Sequence, residues 1–236
     1  ATYIVKAAGA DYDGLTENEY HCMSIAQRAG LVVPRFWLSD DKGLFIVERF
    51  DRGSNDDYLG FEDMTSLTGR QNSEKYEGSY EMVAKAVSMF SAKRCIPESL
   101  CELFKSIVLS VVVRNGDAHL KNFGMLYTHP AAGDARLSPL YDIVNTTIYI
   151  PKDLLALKMD KKRNWPDRET LIEFGRNHCQ LARPADIIEK VCDAANEYKP
   201  NIESGPVWDL IRPLIDAACF SLSDGKTYSL PKGKSS

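Results

Sequence analysis

A single polar loop constrains the fold of this chain most strongly, because regular apolar elements enclose it on both sides. The loop occupies residues 114–124 and reads RNGDAHLKNFG. Upstream, apolar residues recur at three- and four-residue steps across 100–111, which predicts a buried helix that ends near Arg114. Downstream, the runs 123–127 and 136–141 predict a β-hairpin. Polar side chains on a loop held between two rigid elements are typical of a functional site.

The spacing of two side chains in this loop indicates a specific chemistry. Asp117 and Asn122 stand in the D-x-x-x-x-N relation of a phosphotransferase loop, in which the Asp accepts the proton of the attacking hydroxyl and the Asn oxygen binds Mg²⁺. Such a site needs a further carboxylate after the hairpin, and Asp142 occupies that place. The complete order is the one that kinases use. A solvated turn would explain the D-x-x-x-x-N loop alone or Asp142 alone. The two together, in this order along the chain, favour a functional site.

The first 50 residues predict a small lobe of mixed structure. The run 2–6 is rich in β-branched and aromatic residues and predicts a strand. Thr16 and Glu19 match a capping box, which predicts a helix that starts there and stops at Gly30. Two apolar runs within 32–47 flank the polar turn SDDKG and predict a hairpin.

Lys6 closes the first predicted strand and is the candidate cation for nucleotide phosphates. Glu19 follows on the predicted helix and could hold the Lys6 ammonium in place, although the capping box already accounts for a carboxylate there. After the hairpin the chain reads ERFDR. A hinge at this point offers backbone groups of Glu48 and Phe50 to an adenine and places Asp51 near the ribose. A charged strand end is the alternative interpretation.

The rest of the sequence is mostly helical and completes the predicted fold. Residues 53–78 are polar and turn-rich, which predicts a linker or a surface insertion. Helical patterns occupy 167–180, 184–197 and 206–222. We expect an α+β, bilobed, protein-kinase-like fold with a small β-rich N-lobe and a larger, mostly α-helical C-lobe. The predicted domains are 1–52 for the N-lobe and hinge, 53–230 for the C-lobe with the catalytic loop and the metal-binding hairpin, and 231–236 for a disordered tail.

Composition argues against several other classes of protein. The chain of 236 residues has 29 basic and 33 acidic side chains and a net charge of −4, which argues against direct binding of nucleic acid. No run reaches the roughly 18 apolar residues of a membrane helix. Six cysteines without a C-x-x-C pair predict reduced thiols in a cytoplasmic protein. Four histidines without ligand spacing argue against zinc, and P-loop and nucleophile-elbow motifs are absent from the sequence.

Taken together, these motifs resemble the C-terminal kinase portion of the HipA-like toxin kinases, the bacterial serine/threonine kinases of toxin–antitoxin systems. The most specific stretches are VERFDR at 47–52 and NGDAHLKNF at 115–123. The other matching stretches follow in the order of the family. They are TYIVK at 2–6, ENE at 17–19, GLVVP at 30–34, EDM at 62–64, KYE at 75–77 and LSPLYD at 137–142. The resemblance covers residues 1–145, and the final third matches only in being helical.

The resemblance implies ATP- and Mg²⁺-dependent phosphorylation of a protein Ser or Thr. It makes Asp117 the catalytic base, places Asn122 and Asp142 on the metal, and places Lys6 on the phosphates. The residues that it places around the nucleotide are Lys6, Glu48, Arg49, Phe50, Asp51, His119, Lys121, Asn122, Tyr141 and Asp142.

The resemblance also implies partners for the chain. In characterised members the target is an aminoacyl-tRNA synthetase, and a small DNA-binding antitoxin neutralises the kinase. Family members carry a Ser/Gly-containing loop over the phosphates before the Lys strand, whereas five residues precede Lys6 here, so we expect the N-lobe to be incomplete. Two alternatives stay open at this point, a small-molecule kinase for an aminoglycoside or a sugar, and a pseudokinase that serves as an interaction module.

Overall fold

A three-stranded antiparallel sheet and one helix form the N-terminal part of the computed structural model, which describes residues 2–9, 11–53, 57–201 and 205–223. The elements are β1 (Tyr3–Ala7), α1 (Leu15–Arg28), β2 (Phe36–Leu38) and β3 (Leu44–Glu48). The strands lie in the order β1–β3–β2, and Lys6 lies opposite Phe45. Residues directly opposite each other share one face of a sheet. Because Phe45 is fully buried, Lys6 lies on the face that α1 covers.

The start of α1 differs from the predicted capping box. The helix begins at Leu15 after Gly14, whose φ of 68° lies in the left-handed region that glycine adopts at little cost. Thr16 and Glu19 therefore lie inside the helix, and the assignment of a capping box to them is wrong. Thr16 Oγ1 donates instead to the Lys42 carbonyl at 2.6 Å, and the Glu19 carboxylate is available to the sheet.

A second three-stranded sheet contradicts the prediction that 53–78 is a linker or a surface insertion. Its strands, in spatial order, are β4 (Gly60–Asp63), β5 (Gly124–Tyr127) and β6 (Arg136–Leu137). Phe61 of β4 lies opposite Leu126 of β5, and Met64 of the short helix α2 (Met64–Leu67) is fully buried. The strand is only four residues long and two of its residues, Glu62 and Asp63, are acidic, so its apolar signal is weak. The predicted second hairpin is confirmed, with a shorter second strand.

Helices make up most of the remaining structure and surround a common core. They are α3 (Tyr80–Phe90), α4 (Ile96–Val112), α5 (Arg168–Asn177), α6 (Pro184–Glu197) and α7 (Pro206–Leu222). The last three agree with the predicted ranges to within three residues at each end. Leu103, Phe104 and Ile107 of α4 are buried at the centre of the core. Because α4 is anchored in this way, the polar loop that follows it starts from a fixed position.

This architecture confirms the predicted fold class, α+β with small antiparallel sheets and a larger helical part. In the described ranges no helix is both long and apolar enough to cross a membrane. The six cysteines are free thiols, as predicted. The predicted tail 231–236 lies outside the described residues, as do residues 224–230 at the end of the predicted C-lobe.

Candidate active site

Lys6 connects β1, α1 and the segment after β6 through two ion pairs. Its Nζ lies 2.7 Å and 2.9 Å from the two carboxylate oxygens of Glu19 and 2.6 Å from Asp142 Oδ1. The contact that the sequence predicted between Lys6 and Glu19 is therefore present. The same ammonium also contacts Asp142, so the candidate phosphate cation and the candidate metal carboxylate lie together.

Burial and charge shift the pKa values of this cluster in different directions. Glu19 is only 4% exposed, and its burial raises its pKa to about 7 against the opposing effect of the Lys6 charge. Partial burial also disfavours the charged forms of Lys6 and Asp142, but the ion pair between them outweighs that effect, and the Glu19 carboxylate adds to it for Lys6. The pKa of Lys6 is therefore raised and that of Asp142 is lowered. Above pH 7 the cluster holds one cation between two carboxylates, which favours a metal cation nearby.

Asp142 has an uncommon backbone conformation and contacts the other predicted metal ligand. Its φ of 57° lies in the left-handed region, which costs a non-glycine residue free energy and is found at functional sites. Asn122 Nδ2 donates to Asp142 Oδ2 at 3.1 Å. Asn122 Oδ1 accepts the backbone N–H of His119 at 3.0 Å and keeps a second lone pair.

Asn18 attaches the segment that follows Asp142 to α1. Its side chain is fully buried, donates to the Asn145 carbonyl at 2.9 Å and accepts the Asn145 N–H at 2.7 Å. Asn18 precedes Glu19 on the helix, so α1 holds this segment both at Asn145 and, through Lys6, at Asp142. No sequence pattern assigned a role to Asn18, whose one signal was its place in the ENE stretch.

The loop that carries Asp117 is fixed through its backbone. Asn115 Oδ1 accepts the Asp117 N–H at 3.1 Å, and Thr146 Oγ1 accepts the Gly116 N–H at 2.9 Å. A Cβ atom at position 116 would lie 2.6 Å from the backbone oxygen of Leu154 and 2.1 Å from Asp153 Oδ2, so this close packing requires glycine. Thr146 belongs to the segment after β6, and that segment therefore supports both candidate carboxylates.

Tyr76 contacts the candidate catalytic base, although the sequence patterns assigned it no role. Its hydroxyl donates to Asp117 Oδ1 at 2.7 Å, and its ring packs edge-on against His119 with 5.2 Å between the ring centroids. The KYE stretch was the one signal for this residue. It lies in the segment 53–78 that was predicted to be a linker.

Two cavities meet at Lys6 and Asp142, which belong to the walls of both. The larger has a volume of about 750 Å³, and Asp117 and Tyr76 form part of its wall. The smaller has a volume of about 340 Å³. Its apolar and aromatic lining residues are Ile4, Met23, Val47, Phe50, Phe61 and Tyr141. A largely apolar cavity of a few hundred Å³ with some polar groups is typical of a cofactor site.

The predicted hinge segment borders the smaller cavity. Its lining residues are Glu48, Arg49, Phe50 and Asp51. The charged side chains are engaged within the protein, since Arg49 Nε donates to Asp51 Oδ1 at 2.8 Å and Arg35 Nη2 donates to Glu48 Oε1 at 2.7 Å. The Glu48 N–H donates to the Arg35 carbonyl. Any adenine contact from this segment therefore depends on other backbone groups, and the ribose contact of Asp51 stays a prediction.

Tyr141, His119 and Lys121 differ in their relation to the cavities. Tyr141 lines the smaller one, its ring centroid lies 5.2 Å from that of Phe50, and its hydroxyl donates to the Lys121 carbonyl at 2.6 Å. The Lys121 ammonium lies 3.2 Å from Asp63. In the part of the chain that the structure describes, the walls of the two cavities do not include Lys121 or His119. Their contact with a nucleotide stays a prediction.

The Asp142 carboxylate fits Mg²⁺, and Asn122, whose Nδ2 faces Asp142, would contribute through the second lone pair of its Oδ1. A carboxylate and an amide oxygen are hard ligands, and Mg²⁺ takes few protein ligands because phosphates and waters supply the rest. Among residues 2–9, 11–53, 57–201 and 205–223, no three His, Cys, Asp or Glu side chains form a cluster that could hold a metal ion. A metal at Asp142 and Asn122 would therefore depend on the oxygens of a nucleotide.

Comparison with known proteins decides the family. Residues 1–198 match the family described as HipA-like C-terminal domain. The chain belongs to this family. A relative of the HipA-like chain is the Sinorhizobium fredii protein named "Putative kinase Y4dM", which is 29% identical over 226 residues that cover 88% of the chain and 52% of the relative. A Haemophilus influenzae protein named "Putative kinase" is 30% identical over 176 residues, which cover 66% of this chain and 50% of that relative. The HipA-like chain thus spans about half the length of these relatives.

Two solved structures share the fold of the HipA-like chain. HipA of Shewanella oneidensis MR-1, in complex with HipB and its operator DNA, superposes with a TM-score of 0.73 at 18% identity and covers 94% of this chain and 58% of its own. The Helicobacter pylori proinflammatory kinase CtkA superposes with a TM-score of 0.62 at 15% identity. The match covers 93% of this chain and 86% of CtkA. At these identities the likeness concerns the fold alone.

Proposed function

We propose that this HipA-like chain carries the catalytic site of an ATP- and Mg²⁺-dependent kinase that phosphorylates Ser or Thr in a protein. The observation that supports the proposal best is the placement of Lys6, Asp117 and Asp142 in the wall of one cavity. Phosphoryl transfer depends mainly on positioning and on electrostatic stabilisation of the transferred group. A base, a cation and a metal carboxylate must therefore converge on the same space.

Each of these residues has a separate task in the proposed reaction. Asp117 accepts the proton of the attacking hydroxyl. Lys6 binds the phosphates, and Asn122 and Asp142 provide oxygen ligands for the metal. Mg²⁺, when bound, neutralises negative charge on the phosphates. Glu19 holds the Lys6 ammonium, so that the cation does not have to be ordered when the nucleotide binds.

The smaller cavity is the proposed site of the adenine. Phe50 and Tyr141 provide aromatic surface on its wall, and it adjoins Lys6 and Asp142, where the phosphates must lie. Asp117 lines the larger cavity and not the smaller one. The two cavities therefore separate nucleotide binding from acceptor binding.

A protein acceptor and an antitoxin are part of the proposal. The larger cavity carries exposed apolar side chains at its edge, Ile150 and Leu154, which suit a peptide segment. The complex of Shewanella HipA with HipB supports a DNA-binding antitoxin as the partner. The family resemblance suggests an aminoacyl-tRNA synthetase as the target class.

Transfer of labelled phosphate tests the proposal. The protein is incubated with γ-labelled ATP and Mg²⁺, either with a protein extract or with a panel of aminoglycosides and sugars. We expect label on Ser or Thr of a protein, and about a hundredfold less of it or lower when Asp117 is replaced by Ala. Label that enters only small molecules would contradict the protein substrate, and nucleotide binding without any transfer would identify a pseudokinase.

A further inference from the structure

Tyr76 makes a contact that the proposed reaction does not yet explain. Its hydroxyl donates to Asp117 Oδ1 at 2.7 Å. Within the described residues this is the one hydrogen bond that the Asp117 carboxylate accepts. Tyr76 and Asp117 belong to the wall of the larger cavity, together with Lys6 and Asp142. The tyrosine therefore contacts the base within the cavity that is proposed to receive the acceptor.

Tyr76 is itself held in place by the elements around the catalytic loop. Its ring lies edge-on to His119, with 5.2 Å between the centroids and 70° between the ring planes. Its carbonyl accepts a hydrogen bond from Arg163 Nη2 at 2.7 Å, and the preceding carbonyl, of Lys75, accepts the Leu120 N–H at 3.1 Å. Ring and backbone are thus both attached to other parts of the site, which makes the hydroxyl a fixed donor.

The hydroxyl keeps its proton under ordinary conditions. Partial burial raises the pKa of Tyr76 to about 12, and the hydrogen bond to Asp117 and the nearby carboxylate charges of Asp117 and Asp153 add to the effect. Tyr76 therefore donates to Asp117 throughout the neutral pH range.

We propose that Tyr76 is the positioning residue for Asp117, holding Oδ1 so that Oδ2 is directed at the hydroxyl of the acceptor. The inference rests on the proposed function, because it needs Asp117 to act as the base. A carboxylate with one fixed oxygen has lost the rotation about its side chain that would turn the second oxygen away. A base oriented by a neighbouring group in this way is a recurring feature of active sites.

Tyr76→Phe isolates the hydroxyl, because phenylalanine keeps the ring that packs on His119. The transfer rate at saturating ATP should fall about tenfold or more, whereas the KM for ATP should stay close to that of wild type, since Tyr76 does not line the smaller cavity. Tyr58→Phe is the matched control. Tyr58 is 66% exposed and its hydroxyl accepts from Arg52, so this variant should transfer phosphate at the wild-type rate.

A double variant separates positioning of the base from a general structural role. If Tyr76 acts through Asp117, adding Tyr76→Phe to Asp117→Ala should cause no further loss of transfer. A structural role that does not act through Asp117 would lower transfer by the double variant below that of Asp117→Ala. That result would overturn the inference.

Three other outcomes would also overturn it. If Tyr76→Phe transfers phosphate at the wild-type rate while Asp117→Ala is strongly impaired, the proposed function stays intact and the positioning role of Tyr76 is removed. Faster transfer by Tyr76→Phe would show that the hydroxyl competes with the acceptor, and phosphate found on Tyr76 would make it an acceptor. Equal transfer by wild type and Asp117→Ala would instead contradict the proposed function itself.

Discussion

Lys6 Nζ and Asp142 Oδ1 lie 2.6 Å apart, although 136 positions separate the two residues in the chain. The pair joins the first strand of the N-terminal sheet to the segment that follows β6, and Glu19 binds the same ammonium. One cation therefore fixes the relative position of the two sheets at the point where their cavities meet. The proposed reaction needs that cation for the phosphates.

Replacing Lys6 by Met should weaken binding of Mg·ATP about tenfold to a hundredfold, because a hydrogen bond to a charged group is worth about 1.5–3 kcal/mol. Isothermal titration measures the effect directly. Lys85→Met, at an exposed position of α3, is the control and should bind as wild type does. Equal affinity of the two variants would remove Lys6 from the nucleotide site.

Replacing Asn18 by Ala should lower the free energy of unfolding by about 2–4 kcal/mol, because the buried N–H and C=O groups of Asn145 would each lose a partner. Urea unfolding measures this loss. Asn196→Ala, at an exposed position of α6, should change stability by less than about 0.5 kcal/mol. If the two substitutions cost the same, the bonds between Asn18 and Asn145 do not hold the segment after Asp142.

The sequence predicted those parts of the fold and site in which the signal is local. The C-terminal helices repeat their apolar residues at regular spacing. The D-x-x-x-x-N spacing of Asp117 and Asn122 can be recognised in the sequence without knowing how the chain packs. The contact of Lys6 with Glu19 could be predicted as well, because it needs only a strand followed by a helix. These features depend on residues that are near one another in the chain.

Other features depend on tertiary contacts, which a single sequence does not reveal. Strand β4 is short and polar, and it exists because β5 offers it a partner. The helix start at Gly14 overrides the capping-box pattern of Thr16. The roles of Asn18 and Tyr76 emerge only when segments distant in sequence are brought together. The sequence around Asn18 and Tyr76 is ordinary, and their roles depend on hydrogen bonds to residues far away in the chain.

The pKa of Glu19 predicts how stability depends on pH. In the folded state Glu19 keeps its proton up to about pH 7. In the unfolded chain the carboxyl group of Glu19 loses this proton near its ordinary pKa of 4.5. Protonated Glu19 therefore stabilises the folded state fully below pH 4.5, and this stabilisation is lost as the pH rises through about 7. Its size is on the order of 3 kcal/mol. Lys6 and Asp142, which face Glu19, stay ionised over this interval.

Glu19→Gln cannot titrate and is the reference for this effect. Urea unfolding between pH 5 and pH 8 should show the stability of wild type falling relative to that of Glu19→Gln as the pH rises. A difference between the two proteins that stays constant across this interval would show that the pKa of Glu19 is not raised.

Parallel measurement of phosphate transfer and Mg·ATP binding in Asp117→Ala and Asp142→Ala tests the central claim most directly. Asp117→Ala should lose transfer by about a hundredfold or more, the usual contribution of a general base, while it binds Mg·ATP as wild type does. Asp142→Ala should lose both transfer and binding, because Asp142 is the proposed metal ligand and pairs with Lys6. Wild-type transfer by Asp117→Ala, or undiminished Mg·ATP binding by Asp142→Ala, would contradict the account.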